Sequence, residues 1–410
     1  MKKHSYVFFG FPALGHIGPT LGLIRKLVEQ GHKVTYFNRL DQKDMIEKTG
    51  AYFVDYESSS LINTCIPGTE IDSLKMQDFH VGLHKILLSC TSEILEKIKD
   101  LSPTFHAVIF DQFSIWGQIF ADTHKLPSFC SCPMFLDSTE NILPKLPSID
   151  RCDAEYIQKL HALNKYTSSI HAPKDVLDYL TGRKADWVIT YTSKFLQPYS
   201  STLYNQERFI YLGDRFDRKH SSNEQSLEKG SIIYVSLGTI FNGNLMVLQD
   251  IIDFFSNLTY QVDIAAGGND YVYHKLKTSK MPPHIRIHNF VNQIDMLKKC
   301  SLFITHAGLN SLYEGLYLSV PMIMIPQMAE HNINALRLEE LKAAYLINSF
   351  NEVKLKLPEA LASIENHWDS YKSSCKIIRE SFFKSLDNTL VANKLSNIAS
   401  MYRKQKSHLA

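Results

Sequence analysis

The sequence carries little net charge, few cysteines and no long apolar run. Of its 410 residues, 44 are Lys or Arg and 42 are Asp or Glu, a formal net charge of +2. That balance argues against a chain built to coat nucleic acid, which needs a basic stripe. The seven cysteines, at 65, 90, 130, 132, 152, 300 and 375, form no CxxC pair. Cys130-Ser131-Cys132 is too tight for zinc-ribbon spacing. Neither a disulfide scaffold nor a structural zinc is expected, and a reducing compartment fits best. No apolar stretch approaches the ~18–20 residues of a membrane span. The basic start and the apolar residues 6–9 imitate a secretory signal, but Gly10, Pro12, Gly15 and His16 interrupt it and no convincing cleavage site follows. The expectation is a buried first strand in a cytoplasmic protein.

Several catalytic signatures are missing as well. There is no GxGxxG, which disfavours a nicotinamide or flavin dehydrogenase, and no GxxxxGK[ST], which disfavours a P-loop NTPase. GxSxG is absent, so an α/β-hydrolase elbow is not expected. No DxD pair offers ligands for a metal-bridged diphosphate.

What is present is a repeated strand–turn–helix pattern. Residues 6–10 are apolar and end in glycine, 19–30 carry Leu23, Ile24 and Leu27 at helical spacing, and 33–37 read as a second strand. That is a βαβ unit and implies a parallel sheet. Residues 107–110 end at Asp111 and lead into a helical stretch around 116–124, and 185–190 read as another strand. The stretch 214–230 is polar and almost free of large apolar residues, the best linker candidate. After it, 232–237 end at Gly238, and strand-like runs at 262–266, 285–287, 301–305 and 321–325 alternate with helical patterns at 310–318 and 332–341. The fold class is therefore α/β, with an N-terminal domain over 1–213, a linker over 214–230 and a C-terminal domain over 231–384. The end is helical, with a basic tail at Arg403, Lys404 and Lys406 that reads as a solvated helix end.

In open parallel sheets ligands bind beyond the carboxyl ends of the strands. His16 lies in the loop after the first strand, and its imidazole suits general-base work near neutrality. Asp111 closes another strand; it either caps the following helix or holds one tautomer of His16. The densest signal is Thr-His-Ala-Gly-Leu-Asn-Ser at 305–311, where a strand hands over to a helix. A helix N-terminus favours phosphate. His306, Gly308, Asn310 and Ser311 sit there, and Glu314 could accept from two vicinal hydroxyls, as of a ribose. The plainer alternatives are a helix cap for Ser311 and a solvated acid for Glu314. Gly238 and Thr239 form a second strand-end loop, and Glu330 and His331 follow a strand with side chains able to read sugar hydroxyls.

These stretches resemble the GT-B glycosyltransferases of family 1, and most of all the bacterial macrolide glycosyltransferase group. The resemblance is carried by FPALGHIGPTLGLIRKLVEQGHKVTYF (11–37), VIFDQFSIWGQ (108–118), IIYVSLGTIFN (232–242) and the long block over 290–341. It covers almost the whole chain, although about 55–100 and 135–185 hold no usable motif. It implies two Rossmann-like domains facing across a cleft, with a C-terminal helix at about 385–405 returning to the N-terminal domain. It implies inverting transfer of a hexose, glucose first, from a UDP-sugar to a lipophilic small-molecule hydroxyl such as that of a macrolide or polyphenol. No cofactor and no metal is implied. His16 would be the general base and Asp111 its orienting partner. His306 and the N–H groups at 308–311 would stabilise the leaving diphosphate, and Glu314 would hold the ribose. Phe290 would stack on the base, Val291 would contact it through its backbone, and Gln293 would lie nearby. Glu330 and His331 would touch the transferred sugar. Three positions depart from the family pattern: Phe290 for Trp, Asn292 for Pro, and His331 for Gln. In plant relatives a His at that last position accompanies galactose transfer, so UDP-galactose is an alternative donor. A nucleotide-sugar epimerase of the same fold and a non-catalytic activator are the competing classes. Neither nucleic acid nor stable membrane insertion is expected, and the sequence fixes neither acceptor nor oligomeric state.

Overall fold

A computed structural model of the chain describes residues 2–58, 87, 89–99, 101, 104–136, 158, 184–198, 207–216, 232–239, 243–277 and 281–409. Most of 55–100 and 135–185, and the polar stretch from 217 to 231, lie outside the described residues.

The first domain is built on β1 (Ser5–Phe9), β2 (Lys33–Asn38), β3 (Tyr52–Asp55), β4 (Ala107–Asp111), β5 (Ser128–Cys132), β6 (Trp187–Thr190) and β7 (Phe209–Asp214). Its inner strands are apolar on both faces: residues 6–9 and 107–111 are all buried. That is the pattern of a parallel strand covered by helices on both sides. Leu23, Ile24 and Leu27 of the helix Leu21–Glu29 are buried against Tyr6, Phe8 and Tyr36. Each such side chain contributes about 2 kcal/mol of hydrophobic burial.

The second domain carries β8 (Ile232–Ser236), β9 (Gln261–Ala265), β10 (Ile285–His288), β11 (Leu302–Thr305), β12 (Met322–Met324) and β13 (Ala344–Leu346), all paired in parallel. After the helix Trp368–Phe383 the chain returns to the first sheet as β14 (Leu386–Asp387), beside β7. The last helix, Asn388–Leu409, packs on the helix Leu21–Glu29. Two hydrogen bonds pin it: Gln30 Nε2 donates to Asn393 Oδ1 at 3.0 Å, and His4 Nε2 meets Ser400 Oγ at 2.9 Å. Arg403, read as part of a solvated helix end, is helical and exposed, and it also reaches His106 at 3.2 Å.

The strand orders are β14-β7-β6-β5-β4-β1-β2-β3 and β10-β9-β8-β11-β12-β13. In the first sheet the winding reverses between β1 and β4, and in the second between β8 and β11. Such reversals splay the following loops apart and leave a crevice at the carboxyl edge. Both domains thus offer a crevice, and the candidate residues sit at these two places.

Some expectations need correction. His16 does not lie in an irregular loop but in a one-turn helix, Leu14–Ile17. The stretch read as linker from 214 opens inside structure. Asp214 closes β7, and Phe216 packs edge-on against Tyr313 and Tyr317 at 5.6 and 4.9 Å. Among the described residues Cys130, Cys132, Cys300 and Cys375 are buried free thiols, and Cys90 is buried as well. No helix among them is long and apolar enough to cross a membrane.

Candidate active site

On the first domain's side, β1 and β4 deliver His16 and Asp111 to the same crevice. His16 Nδ1 donates to Asp111 Oδ2 at 2.8 Å. Asp111 Oδ1 accepts from the Phe113 amide at 2.9 Å, so the carboxylate shapes its own turn and orients the imidazole at once. The helix after it, Ile115–His124, is preceded by Ser114 at the N-cap position; Asp111 therefore organises the turn, not the cap itself. Burial alone would lower the His16 pKa, but the charge and hydrogen bond of Asp111, with Glu330 adding to them, raise it above the ordinary value. The rings of Phe11 and Phe113 stand 5.3 and 5.1 Å from the imidazole and wall it in. With Nδ1 committed to the carboxylate, Nε2 is the nitrogen left for chemistry.

On the second domain's side, β8 and β11 deliver Gly238 and His306. The His306 ring fills the slot between two glycines. A Cβ on Gly238 would lie 2.7 Å from His306 Nε2, and one on Gly308 would lie 2.4 Å from it. Only glycine lets the ring lie there. Between His306 and Gly308, Ala307 has φ of +66°, a left-handed conformation uncommon outside glycine. The buried Asn334 holds it by donating from Nδ2 to the Ala307 carbonyl at 3.0 Å. Burial lowers the His306 pKa to about 4, against a small opposing contribution from the Ser236 backbone, so the ring is neutral at pH 7. His331 stands edge-on to it at 4.7 Å and is also driven down, by burial first and by His306 second.

The helix Leu309–Tyr317 begins directly after Gly308. Gln293 Nε2 donates to Ser311 Oγ at 3.2 Å and to Glu314 Oε2 at 2.7 Å, which gathers all three side chains beside that helix start. Burial raises the Glu314 pKa, while Gln293 and Arg215 oppose it. Phe290 is 68% exposed and presents an open face, and Val291 beside it is half-buried. Asn292, where the family pattern has proline, caps the helix Gln293–Leu297 by accepting from the Asp295 amide at 3.2 Å. Thr239 is exposed at the mouth of the other loop. Glu330 lies in the first turn of the helix Ala329–Glu340, its Oε1 3.4 Å from Asn334 Nδ2. Among the described residues, Nδ1 of His306, Nδ1 of His331 and Nε2 of Gln327 are buried without a hydrogen-bond partner. Buried polar atoms of folded proteins are usually satisfied, so these three are open to a polar ligand.

The two halves confront each other. Asn310 Nδ2 donates across the cleft to the Gly15 carbonyl at 2.6 Å, one residue before His16. Glu330 and His16 influence each other's protonation across the same gap. No group of three or more potential metal ligands occurs among the described residues.

Residues 221–383 match the family model described as UDP-glucoronosyl and UDP-glucosyl transferase. The chain has a GT-B fold, the fold of the solved glycosyltransferases it superposes on. Over 96% of its length it is 28% identical to an uncharacterized UDP-glucosyltransferase, YdhE, of Bacillus subtilis, covering 98% of that protein. It is 23% identical to the oleandomycin glycosyltransferase of Streptomyces antibioticus, over 95% of this chain and 85% of that one. Among solved structures, the glycotransferase of kitacinnamycin superposes with a TM-score of 0.76 at 20% identity, over 97% of this chain and 99% of that one. The calicheamicin glycosyltransferase CalG4 superposes with a TM-score of 0.71 at 18% identity, over 97% and 98%.

Within this GT-B fold, two residues escaped the sequence reading. Asn334 supports both Ala307 and Glu330; its spacing of four from Glu330 places both on one helix face, the one signal that could have found it. Arg215 was hidden at the start of the polar stretch, where nothing distinguishes it from solvated charge. Its guanidinium lies 3.6 Å over the Tyr313 ring, and its NH1 donates to Asn310 Oδ1 at 2.8 Å.

Proposed function

We propose that the protein is an inverting glycosyltransferase that moves a hexose from a UDP-sugar, with glucose the first candidate, to a hydroxyl of a lipophilic small molecule such as a macrolide or polyphenol. The observation that carries this reading is the His16–Asp111 pair at 2.8 Å, held opposite the helix start at 308–311. His16 Nε2 takes the proton of the acceptor hydroxyl as its oxygen bonds to the anomeric carbon. The bond from that carbon to the diphosphate oxygen breaks on the opposite face, so configuration inverts and UDP leaves with the electron pair. Asp111 stabilises the imidazolium that forms. The free N–H groups of residues 308–311 and the neutral His306 face the leaving diphosphate; they act as dipoles and hydrogen-bond donors, not as a cation. Glu314 accepts from the ribose hydroxyls, Phe290 covers the base, Val291 meets it through its backbone, and Glu330 with His331 reads the sugar. Gly238 and Thr239 close the second loop over the phosphates. No metal enters this scheme, and the reaction proceeds in the presence of a chelator.

The names of the relatives support the class. Curated homologues are called UDP-glucosyltransferase and oleandomycin glycosyltransferase. The imidazole–carboxylate pair serves transfer as the base for the acceptor hydroxyl, and the competing epimerase would instead release epimerised sugar in the absence of any acceptor. The test is His16→Ala. Turnover with ordinary alcohol acceptors falls by about a thousandfold, while the UDP dissociation constant measured by calorimetry stays within about threefold. Turnover within tenfold of the parent removes His16 from the base role.

A further inference from the structure

Three segments meet where the domains adjoin: the end of β7, the start of the helix Leu309–Tyr317, and the start of the helix Asn388–Leu409. Arg215 stands at their centre. Its amide donates to Tyr313 Oη at 3.1 Å, Tyr313 Oη donates to the Gly213 carbonyl at 2.7 Å, and Asn388 Nδ2 donates to the Arg215 carbonyl at 2.9 Å. The backbone is therefore tied on both sides of the residue. The guanidinium makes no ion pair among the described residues, and its buried Nε has no partner there. A half-buried cation with no ion pair, favoured by the nearby charge of Glu314 that does not contact it, is costly, so its retention asks for a reason.

The reason lies in what it touches. A guanidinium only donates, whereas an amide side chain has one donating and one accepting end. By taking Oδ1 of Asn310 at 2.8 Å, Arg215 forces Nδ2 to the other side, where it meets the Gly15 carbonyl at 2.6 Å. With the amide turned over, carbonyl would face carbonyl and the cross-cleft bond would be lost. Gly15 and His16 share the one-turn helix Leu14–Ile17, whose other ties are its own backbone, Asp111, the Phe11 and Phe113 rings and the buried Ile17.

We propose that Arg215 is a positioning residue: it sets the amide of Asn310 and, through it, the placement of the His16 turn against the second domain. The relay runs from the inter-domain crossing to the base through the Asn310 side chain, distinct from the Asn310 N–H in the group at 308–311. This inference rests on the transferase reading.

The experiment is a double-mutant cycle with full-length protein. Arg215→Met lowers kcat on the order of tenfold, since small misplacements of a reacting group have large kinetic effects, and leaves the UDP dissociation constant within about threefold of the parent's. Asn310→Ala gives a similar loss of kcat. Adding Arg215→Met to Asn310→Ala changes kcat by less than about twofold, because a residue acting through another has nothing left to act on. Additive losses overturn the relay. So does a loss of UDP affinity as large as the loss of kcat, which would make Arg215 a diphosphate ligand. If Arg215→Met does not fold, Asn310→Ala alone decides, and parental kcat in that variant refutes the proposal. A parent protein that transfers sugar while Arg215→Met equals it refutes this inference alone; a parent with no transfer from any nucleotide-sugar refutes the reading beneath it.

Discussion

The two domains solve the same topological problem with different side chains. At the reversal between β1 and β4 the first domain presents His16 and Asp111; at the reversal between β8 and β11 the second presents Gly238 and His306. Both imidazoles are withdrawn from water, and withdrawal disfavours the charged form of each. The neighbouring strand end decides the outcome. A carboxylate at 2.8 Å more than offsets burial at His16 and raises its pKa, whereas a glycine loop offers no charge and leaves His306 at about 4. One crevice is therefore set to accept a proton near neutrality. The other holds a neutral ring beside a helix start, suited to a polyanion that should not depend on a titrating cation.

The sharpest way to break this contrast is to remove the carboxylate. Asp111→Asn keeps the shape of the first crevice but takes away the charge that holds a proton on His16. Activity requires the neutral imidazole, so the parent's kcat/KM rises with pH through a limb above about 6.5, the unperturbed histidine value. In Asp111→Asn that limb moves to lower pH, and kcat at its plateau falls by about a hundredfold or more, because the imidazolium loses its partner. A pH–rate profile over the neutral range checks both effects, and a limb that stays in place assigns the ionisation to another group. Gly308→Ala attacks the other crevice. Its Cβ, 2.4 Å from His306 Nε2, expels the ring from its slot. UDP binding weakens by about tenfold, the scale of one good charge-assisted contact, while the acid limb set by His16 does not move. Calorimetry with UDP tests this, and unchanged affinity would detach the 305–311 turn from the diphosphate.

How much of this was visible in the chain differs between the halves for a physical reason. Buried parallel strands must be apolar on both faces, so β1, β4, β8 and β11 stand out as short apolar runs, and the residues ending them follow directly. Helix boundaries were less legible. The helix Ala329–Glu340 begins three residues before the reading from 332, because Glu330 and His331 read as loop residues selected for chemistry. β3, β5, β7 and β13 were not singled out, since their strands are short or carry Ser, Cys and Asp at buried positions. Arg215 and Asn334 could not be found from pattern at all. Their roles depend on partners 95 and 27 residues away, and long-range pairing leaves no local trace. Asn310 shows the same limit from the other side: it sits in the expected turn, but the bond of its side chain across the cleft to Gly15 leaves no trace in the sequence.

The smallest expected effect concerns the sugar itself and separates the two histidines of the second crevice. His331 is buried, held edge-on to His306, and has its Nδ1 without a partner among the described residues. A neutral imidazole offers one donor and one acceptor on opposite sides of a rigid ring, whereas glutamine offers both from one end of a flexible arm. An epimeric pair such as glucose and galactose differs only in the direction of one hydroxyl, so exchanging one geometry for the other alters which epimer is satisfied. His331→Gln therefore shifts the ratio of UDP-glucose to UDP-galactose turnover toward glucose, by about tenfold or less, in keeping with one altered hydrogen bond. Both rates are taken with the same acceptor, so contributions from the first domain cancel. His306 stays in its glycine slot, so the diphosphate contribution cancels as well. What remains is the contact between residue 331 and the sugar, and a ratio that does not change means that the hydroxyls are read by other groups.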